Sequence, residues 1–216
     1  MAYTDEQLSA YLESLVPERP EEMKRMEAYA AEHGFPIIGP AAGYYCYLTA
    51  RIMGAHRIFE LGSGYGYSTA WFARAVQENG GGEVFHTVWD EDLSRRARQH
   101  LAALGYDDLM HYRVSESVQA LENADGTFDL IFNDIHKRAY PEILPLLYER
   151  LHPGGVLIVD NVLWSGRVLD ERNHEESTEA IREFTRLITT DDRWLASLVP
   201  IRDGLMVAYR REEEAT

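Results

Sequence analysis

Residues 57–78 read RIFELGSGYGYSTAWFARAVQE. RIFEL is a short apolar run with the length of a buried strand. Gly62, Gly64 and Gly66 follow, where a chain must turn tightly and let its backbone approach a ligand. YSTAWFARAVQE then has the composition of a helix. The same alternation recurs along the chain. EVFHTVW (83–89) precedes DLSRRARQHLAALG, and LMHYRVS (109–115) precedes ESVQALENA. FDLIFND (128–134) precedes YPEILPLLYERL, and GGVLIVDN (154–161) precedes ESTEAIREFTRLITTD. Strands alternating with helices build a parallel sheet covered on both faces. The apolar runs IFEL, LIF and VLIV are those of strands buried on both sides. WLASLVPI and LMVAYRR flank RDG (202–204) and read as two antiparallel strands joined at a turn.

Upstream, TDEQLSAYLESL begins with Thr4 as a helix cap and sets Leu8, Tyr11, Leu12 and Leu15 on one face. A second helix is expected from Arg19 to about Glu32, stopping at His33-Gly34, and a third after Pro40, ending at Gly54. The expected fold is therefore α/β. It is a Rossmann-like, seven-stranded, mostly parallel sheet with an antiparallel C-terminal strand, helices on both faces and a helical N-terminal extension. Residues 1–216 are read as a single domain, with the extension at 1–54 and the core at 55–216.

The 216 residues carry a net charge of −15, which repels phosphate backbones and argues against nucleic acid. No run approaches a membrane span, and MAYTDEQLSAYLESL lacks the features of a secretory signal. Cys46 is the single cysteine and reads as a small buried helix residue. With no internal disulfide to form, a cytoplasmic location is expected. REEEAT at the C-terminus reads as a frayed acidic tail.

The Gly-rich turn follows G-x-G-x-G, and Tyr67 stands where a dinucleotide-binding turn places its third glycine. A tyrosine there crowds a pyrophosphate, so an adenosine ligand without phosphates suits the turn better. Glu60, at the end of its apolar strand, can accept hydrogen bonds from a ligand or from backbone N–H groups.

FDLIFNDIHK (128–137) poses a second question, because an apolar strand ends in Asp134 and a lysine follows three residues later. Lys24 and Lys137 are the only lysines in a chain with 21 Lys and Arg residues. Asp160 and Asn161 end the next strand. Ligands of open parallel sheets bind beyond the carboxyl ends of the strands. Neighbouring strand ends lie about 5 Å apart, where two carboxylates repel unless a cation sits between them. Two carboxylates and an amide form a hard oxygen shell suited to Mg²⁺, with Mn²⁺ or Ca²⁺ as alternatives. Otherwise Asp134 caps the following helix and Asp160-Asn161 form an ordinary turn. Lysine, unlike arginine, can lose its proton when desolvated or near a cation, so Lys137 is the candidate general base. Lys24 reads as a solvated surface residue.

ELGSGYGYST, FDLIFNDIHK, LHPGGVLIVDNVLWSGRV and RDGLMVAYR together resemble the cation-dependent O-methyltransferases. These are class I S-adenosylmethionine enzymes of the caffeoyl-CoA and catechol O-methyltransferase type. The resemblance implies Asp134, Asp160 and Asn161 as metal ligands and Lys137 as base. It places Glu60, Gly62, Ser63, Gly64, Tyr65, Gly66 and Ser68 at the methionine and adenosyl parts of the donor. Ser115, Glu116 and Ser117 fall near the adenine, and Trp164 lines the acceptor pocket with His136 and Lys137. A homodimer is also implied. The sequence departs from the family pattern at Val88, where relatives carry a ribose-binding acid. Asp90, two residues on, is the expected substitute, and Trp89 is a candidate cover for the adenine. AAGYY (41–45) replaces an acid-Gly-Gln, and Ile135-His136 follow the strand-four aspartate.

The resulting expectation is methyl transfer from S-adenosylmethionine to a hydroxyl of a small aromatic vicinal diol. Asp134 also borders the donor in this scheme. The short link from Trp164 to Glu175 leaves little room for a specificity insertion. The rivals are an NAD-linked oxidoreductase and a non-catalytic adenosine-binding module.

Overall fold

The computed structural model describes residues 4–212. The acidic tail expected at the C-terminus lies largely outside them. Helix α1 (Asp5–Ser14) starts at Thr4, whose hydroxyl accepts from the Gln7 backbone while the Gln7 side chain accepts from the Thr4 backbone. Helix α2 (Glu21–His33) begins later than the sequence implied, since Pro20 occupies its cap. It stops at Gly34 in the left-handed conformation, as expected. Helix α3 (Gly39–Ile52) takes Pro40 into its first turn, where a missing N–H costs nothing.

The core follows as β1 (Arg57–Leu61), α4 (Tyr67–Glu78), β2 (Glu83–Val88), α5 (Glu91–Ala103) and β3 (Met110–Val114). After these come α6 (Ser117–Glu122), β4 (Phe128–Asn133), α7 (Tyr140–Arg150), β5 (Leu151–Val159), α8 (Glu176–Thr190), β6 (Trp194–Val199) and β7 (Leu205–Arg210). The seven strands form one sheet in the order β3-β2-β1-β4-β5-β7-β6. Pairing is parallel from β3 through β5, and β7 runs antiparallel to both of its neighbours. The expected fold class is borne out.

Strand residues alternate between two buried layers, as the pleat requires. Ile58, Leu130, Phe132 and Ile158 pack with Met26 of α2, Trp71 of α4 and Ala97 of α5. Phe59, Leu61, Ile131 and Val159 pack with Leu121, Leu147 and Phe184 on the opposite face. Further boundaries differ from expectation, and β5 begins at Leu151 and ends at Val159. β2 ends at Val88 and leaves the Trp89 side chain 80% exposed. The stretch Trp164–Leu169 coils into short 3₁₀ turns instead of an open link. Among the described residues no helix is long and apolar enough to cross a membrane.

Candidate active site

The carboxyl ends of β1, β4 and β5 converge on one cleft. Strand order makes β4 the neighbour of both others, and β1 pairs with β4 up to Leu61–Asn133. The Asp134 N–H donates to Leu61 O at 2.9 Å, and the Asp160 N–H donates to Asn133 O at 3.1 Å. These bonds continue the ladder one residue past the strands and hold Asp134 and Asp160 side by side. The cleft, of about 470 Å³, is bordered by Gly62, Gly64, Asp134, Lys137, Asp160, Asn161 and Trp164.

On the β1 side the loop after Leu61 is built from glycines with positive φ: Gly62 at 87°, Gly64 at 52° and Gly66 at 93°. A Cβ on Gly62 would sit 2.4 Å from Asp134 O, so this position joins the two strand ends at backbone contact. Glu60 is fully buried on the α4 face; it accepts from the Thr69 hydroxyl, while its Oε1 has no partner. It is not a solvated strand-end acid. Burial pushes its carboxyl up to about 7, against the hydroxyls of Ser68, Thr69 and Ser63. Ser63 Oγ accepts from the Thr87 N–H, and its own N–H donates to Thr87 O. Tyr65 sends its ring into the core, where its hydroxyl donates to Met26 O at 2.9 Å. Tyr67 also points inward and donates to Glu27 Oε1 at 2.7 Å. Its ring is buried yet still lines the small hollow over the turn.

On the β5 side Asp160 is 1% exposed. Its Oδ1 accepts from the Asn161 N–H at 2.8 Å, and its Oδ2 has no hydrogen-bond partner. Burial and the neighbouring Asp134 push its carboxyl up to about 7. Burial also raises Asp134, opposed by Lys137, whose Nζ donates to Asp134 Oδ1 at 2.6 Å and to Ile135 O at 3.2 Å. Asp134 caps no helix; its carboxylate is engaged by Lys137. The Lys137 ammonium also lies 5.5 Å from the Tyr140 ring centre and 5.9 Å from that of Trp164. Asn161, Trp164 and Ser165 adopt φ of 61°, 50° and 53°. A left-handed non-glycine residue costs roughly 1–2 kcal/mol.

The donor set fits a hard cation. Asp134 and Asp160 face each other with raised carboxyls, a buried Asp160 oxygen lacks a donor, and Asn161 follows directly. Among the described residues no group of three or more His, Cys, Asp and Glu side chains is placed to hold a metal. The candidate set differs from such a group in having an amide as its third member.

The remaining expected residues are more scattered. Val88 ends β2, and Asp90 lies past the strand rather than within it, so strand parity does not govern its direction. Its Oδ1 accepts from the Leu93 N–H and caps α5. Glu116 caps α6 in the same way, Ser115 donates to Glu116 O, and Ser117 Oγ accepts from Thr87 Oγ1 at 3.1 Å. His136 is exposed at the cleft mouth. Cys46 is fully buried in α3, as expected.

Sequence reasoning missed two contributors. Phe35, Pro36 and Ile37, between α2 and α3, line both the cleft and the small hollow over the Gly-rich turn. An apolar linker bounded by Gly34 and Gly39 was the available signal. Arg202, in the β6–β7 turn, brings its NH1 to 3.6 Å from Asp160 Oδ2. The turn is docked by the Val162 N–H on Gly204 O and the Leu163 N–H on Asp203 O. No local sequence signal places Arg202 there.

The family model described as O-methyltransferase matches residues 8–211. The chain belongs to the O-methyltransferase family. The catechol O-methyltransferase of Niastella koreensis is 31% identical over 189 residues, covering 82% of this chain and 85% of that one. The O-methyltransferase TomG of Streptomyces achromogenes, solved with S-adenosylmethionine, superposes with a TM-score of 0.85 at 25% identity, covering 95% and 96% of the two chains. The Bacillus cereus O-methyltransferase, solved with S-adenosylhomocysteine, gives 0.83 at 26% identity over 95% and 97%. The expected family and enzyme class, an S-adenosylmethionine-dependent O-methyltransferase, are borne out, and the oxidoreductase and binding-module rivals fall away.

Proposed function

We propose that this O-methyltransferase acts on a small aromatic vicinal diol with the help of one divalent cation, Mg²⁺ in the first instance. The observation that carries this reading is the meeting of Asp134, Asp160, Asn161 and Lys137 in one cleft beside the Gly-rich turn.

Asp134, Asp160 and Asn161 would hold the cation. When bound, it supplies positive charge that eases deprotonation of an acceptor hydroxyl. The Gly62–Gly66 turn, Ser68 and the buried Glu60 would seat the donor, which supplies an electrophilic methyl group. Asp90 and the Ser115–Ser117 turn would lie at its ribose and adenine end, with Trp89 over the ring. Lys137, as the neutral amine after releasing a proton to solvent, would take the acceptor proton at Nζ. To do so it must exchange its bond to Asp134 for one to the hydroxyl, a change within reach because both groups line the same cleft. Trp164 flanks Lys137 and presents a flat surface against which an aromatic acceptor can lie. His136 stands at the entrance. The chain's own work is thus positioning and electrostatics. A homodimer acting in the cytoplasm is part of the same proposal.

The test is methyl transfer to catechol with and without a chelator, on wild type and on Lys137→Ala. Turnover should vanish with chelator and return with added Mg²⁺. Lys137→Ala should lower kcat about 100-fold or more, with S-adenosylhomocysteine affinity held within about twofold. Chelator-insensitive turnover would remove the cation, and lost cofactor affinity would move Lys137 out of the base role.

A further inference from the structure

Arg202 stands in an unusual position for an arginine. Its φ is 55°, in the left-handed region where glycine is at ease and arginine is not. It is one of four non-glycine residues with positive φ among the described residues, and the other three, Asn161, Trp164 and Ser165, belong to the loop after β5 on the same side of the cleft. Strain confined to one site is retained where side chains must be aimed. The next residue ties the turn to that loop, with Asp203 Oδ1 accepting from the Ser165 N–H at 2.5 Å.

The guanidinium is poorly engaged. Its NH1 makes only a long ion pair, 3.6 Å from Asp160 Oδ2 and beyond hydrogen-bond range. The other cation of the cleft is committed, with Lys137 at 2.6 Å from Asp134. Arg202 therefore brings a planar fork of donors to the acceptor cleft of a chain whose net charge is −15. Overall, such a surface disfavours an anionic acceptor, and a local cation reverses that. The turn lies on the β5 side of β4, whereas the Gly-rich turn follows β1 on the other side. That separation puts Arg202 with the acceptor rather than the donor.

We infer that Arg202 is a specificity residue that pairs with a carboxylate on the acceptor, so that the preferred substrates are aromatic vicinal diols bearing an acid group. The inference rests on the diol reading above and narrows it. Bidentate pairing with a carboxylate suits the guanidinium plane, and the cleft of about 470 Å³ suits a one-ring acid.

The probes are 3,4-dihydroxybenzoate and catechol, assayed on wild type, Arg202→Gly, Arg202→Gln and Arg202→Lys. Wild type should favour the acid in kcat/KM by about tenfold or more, a preference that weakens at high salt. Gly and Gln should each reduce the acid-to-catechol ratio about tenfold, chiefly through KM, and Lys should restore part of it. Wild type that methylates diols without preferring the acid overturns this inference alone, whatever the variants do. A variant that loses both probes equally, or loses affinity for S-adenosylhomocysteine, overturns it too, assigning Arg202 to upkeep of the site or to the donor's carboxylate. Wild type that methylates no diol at all overturns both readings.

Discussion

The two halves of the cleft reach left-handed backbone by opposite routes. On the β1 side Gly62, Gly64 and Gly66 occupy positive φ. On the β5 side Asn161, Trp164, Ser165 and Arg202 do so with full side chains, interspersed with Gly166 and Gly204. Glycine makes such geometry inexpensive and clears space for close backbone approach. The other residues incur strain, and what they gain is an amide, an indole and a guanidinium facing one volume. The contrast separates a half that works through its main chain from one that works through side-chain chemistry.

The largest test of that contrast is Gly62→Ala. Its methyl would fall 2.4 Å from Asp134 O at a φ of 87°, so unfolding free energy should drop by about 3 kcal/mol or more, with loss of S-adenosylhomocysteine binding. Denaturant titration and calorimetry read the two effects. An unperturbed Gly62→Ala would mean the β1 and β4 ends can part, so that close main-chain contact is not what shapes the β1 half.

Glu60 sharpens the comparison through pH. Its carboxyl is raised from 4.5 to about 7 by burial. The folded state therefore holds a proton that the unfolded state gives up between these values. Stability is lost as pH rises through that window and levels off above it. Glu60→Gln should remove that slope, on the order of 2 kcal/mol between pH 5 and pH 8. Urea midpoints of the ligand-free protein at the two pH values would show it. Parallel wild-type and variant curves would mean that Glu60 finds a compensating partner.

Asp90→Ala should cost about 1 kcal/mol through loss of the α5 cap. If Asp90 also serves the ribose, S-adenosylhomocysteine affinity falls as well. A pure stability loss would leave the position of Val88 without a substitute. The smallest expected stability change is that of Asn161→Gly, under about 1 kcal/mol, because relief at φ of 61° offsets added unfolded-state freedom. Its expected signature is a higher Mg²⁺ requirement for turnover. Unchanged Mg²⁺ dependence would limit the oxygen set to Asp134 and Asp160.

Much of this was readable from local pattern. Strand ends near Leu61, Asp134 and Asp160-Asn161 followed from apolar runs stopping at a glycine or an acid, within one or two residues of the observed ends at Leu61, Asn133 and Val159, and Thr4 and Gly34 marked helix termini by their own chemistry. Asp134 with Lys137 stood out because lysine is so scarce here. Trp89 and Asp90 are harder, since β2 stops at Val88 and the Asp90 carboxylate caps α5. Tyr67 does line the hollow over the turn, but its hydrogen bond to Glu27 of α2 is a tertiary contact.

By itself the sequence determined the order and type of the elements, the glycine turn, and the identity of the acids and the lysine, since these depend on neighbours along the chain. Tertiary structure alone decided that Phe35–Ile37 would wall the cleft and that Arg202 would face Asp160, 42 positions away. Those facts arise from which strands lie side by side and how loops dock across them. Sheet order and long-range packing set them, and no local propensity encodes either.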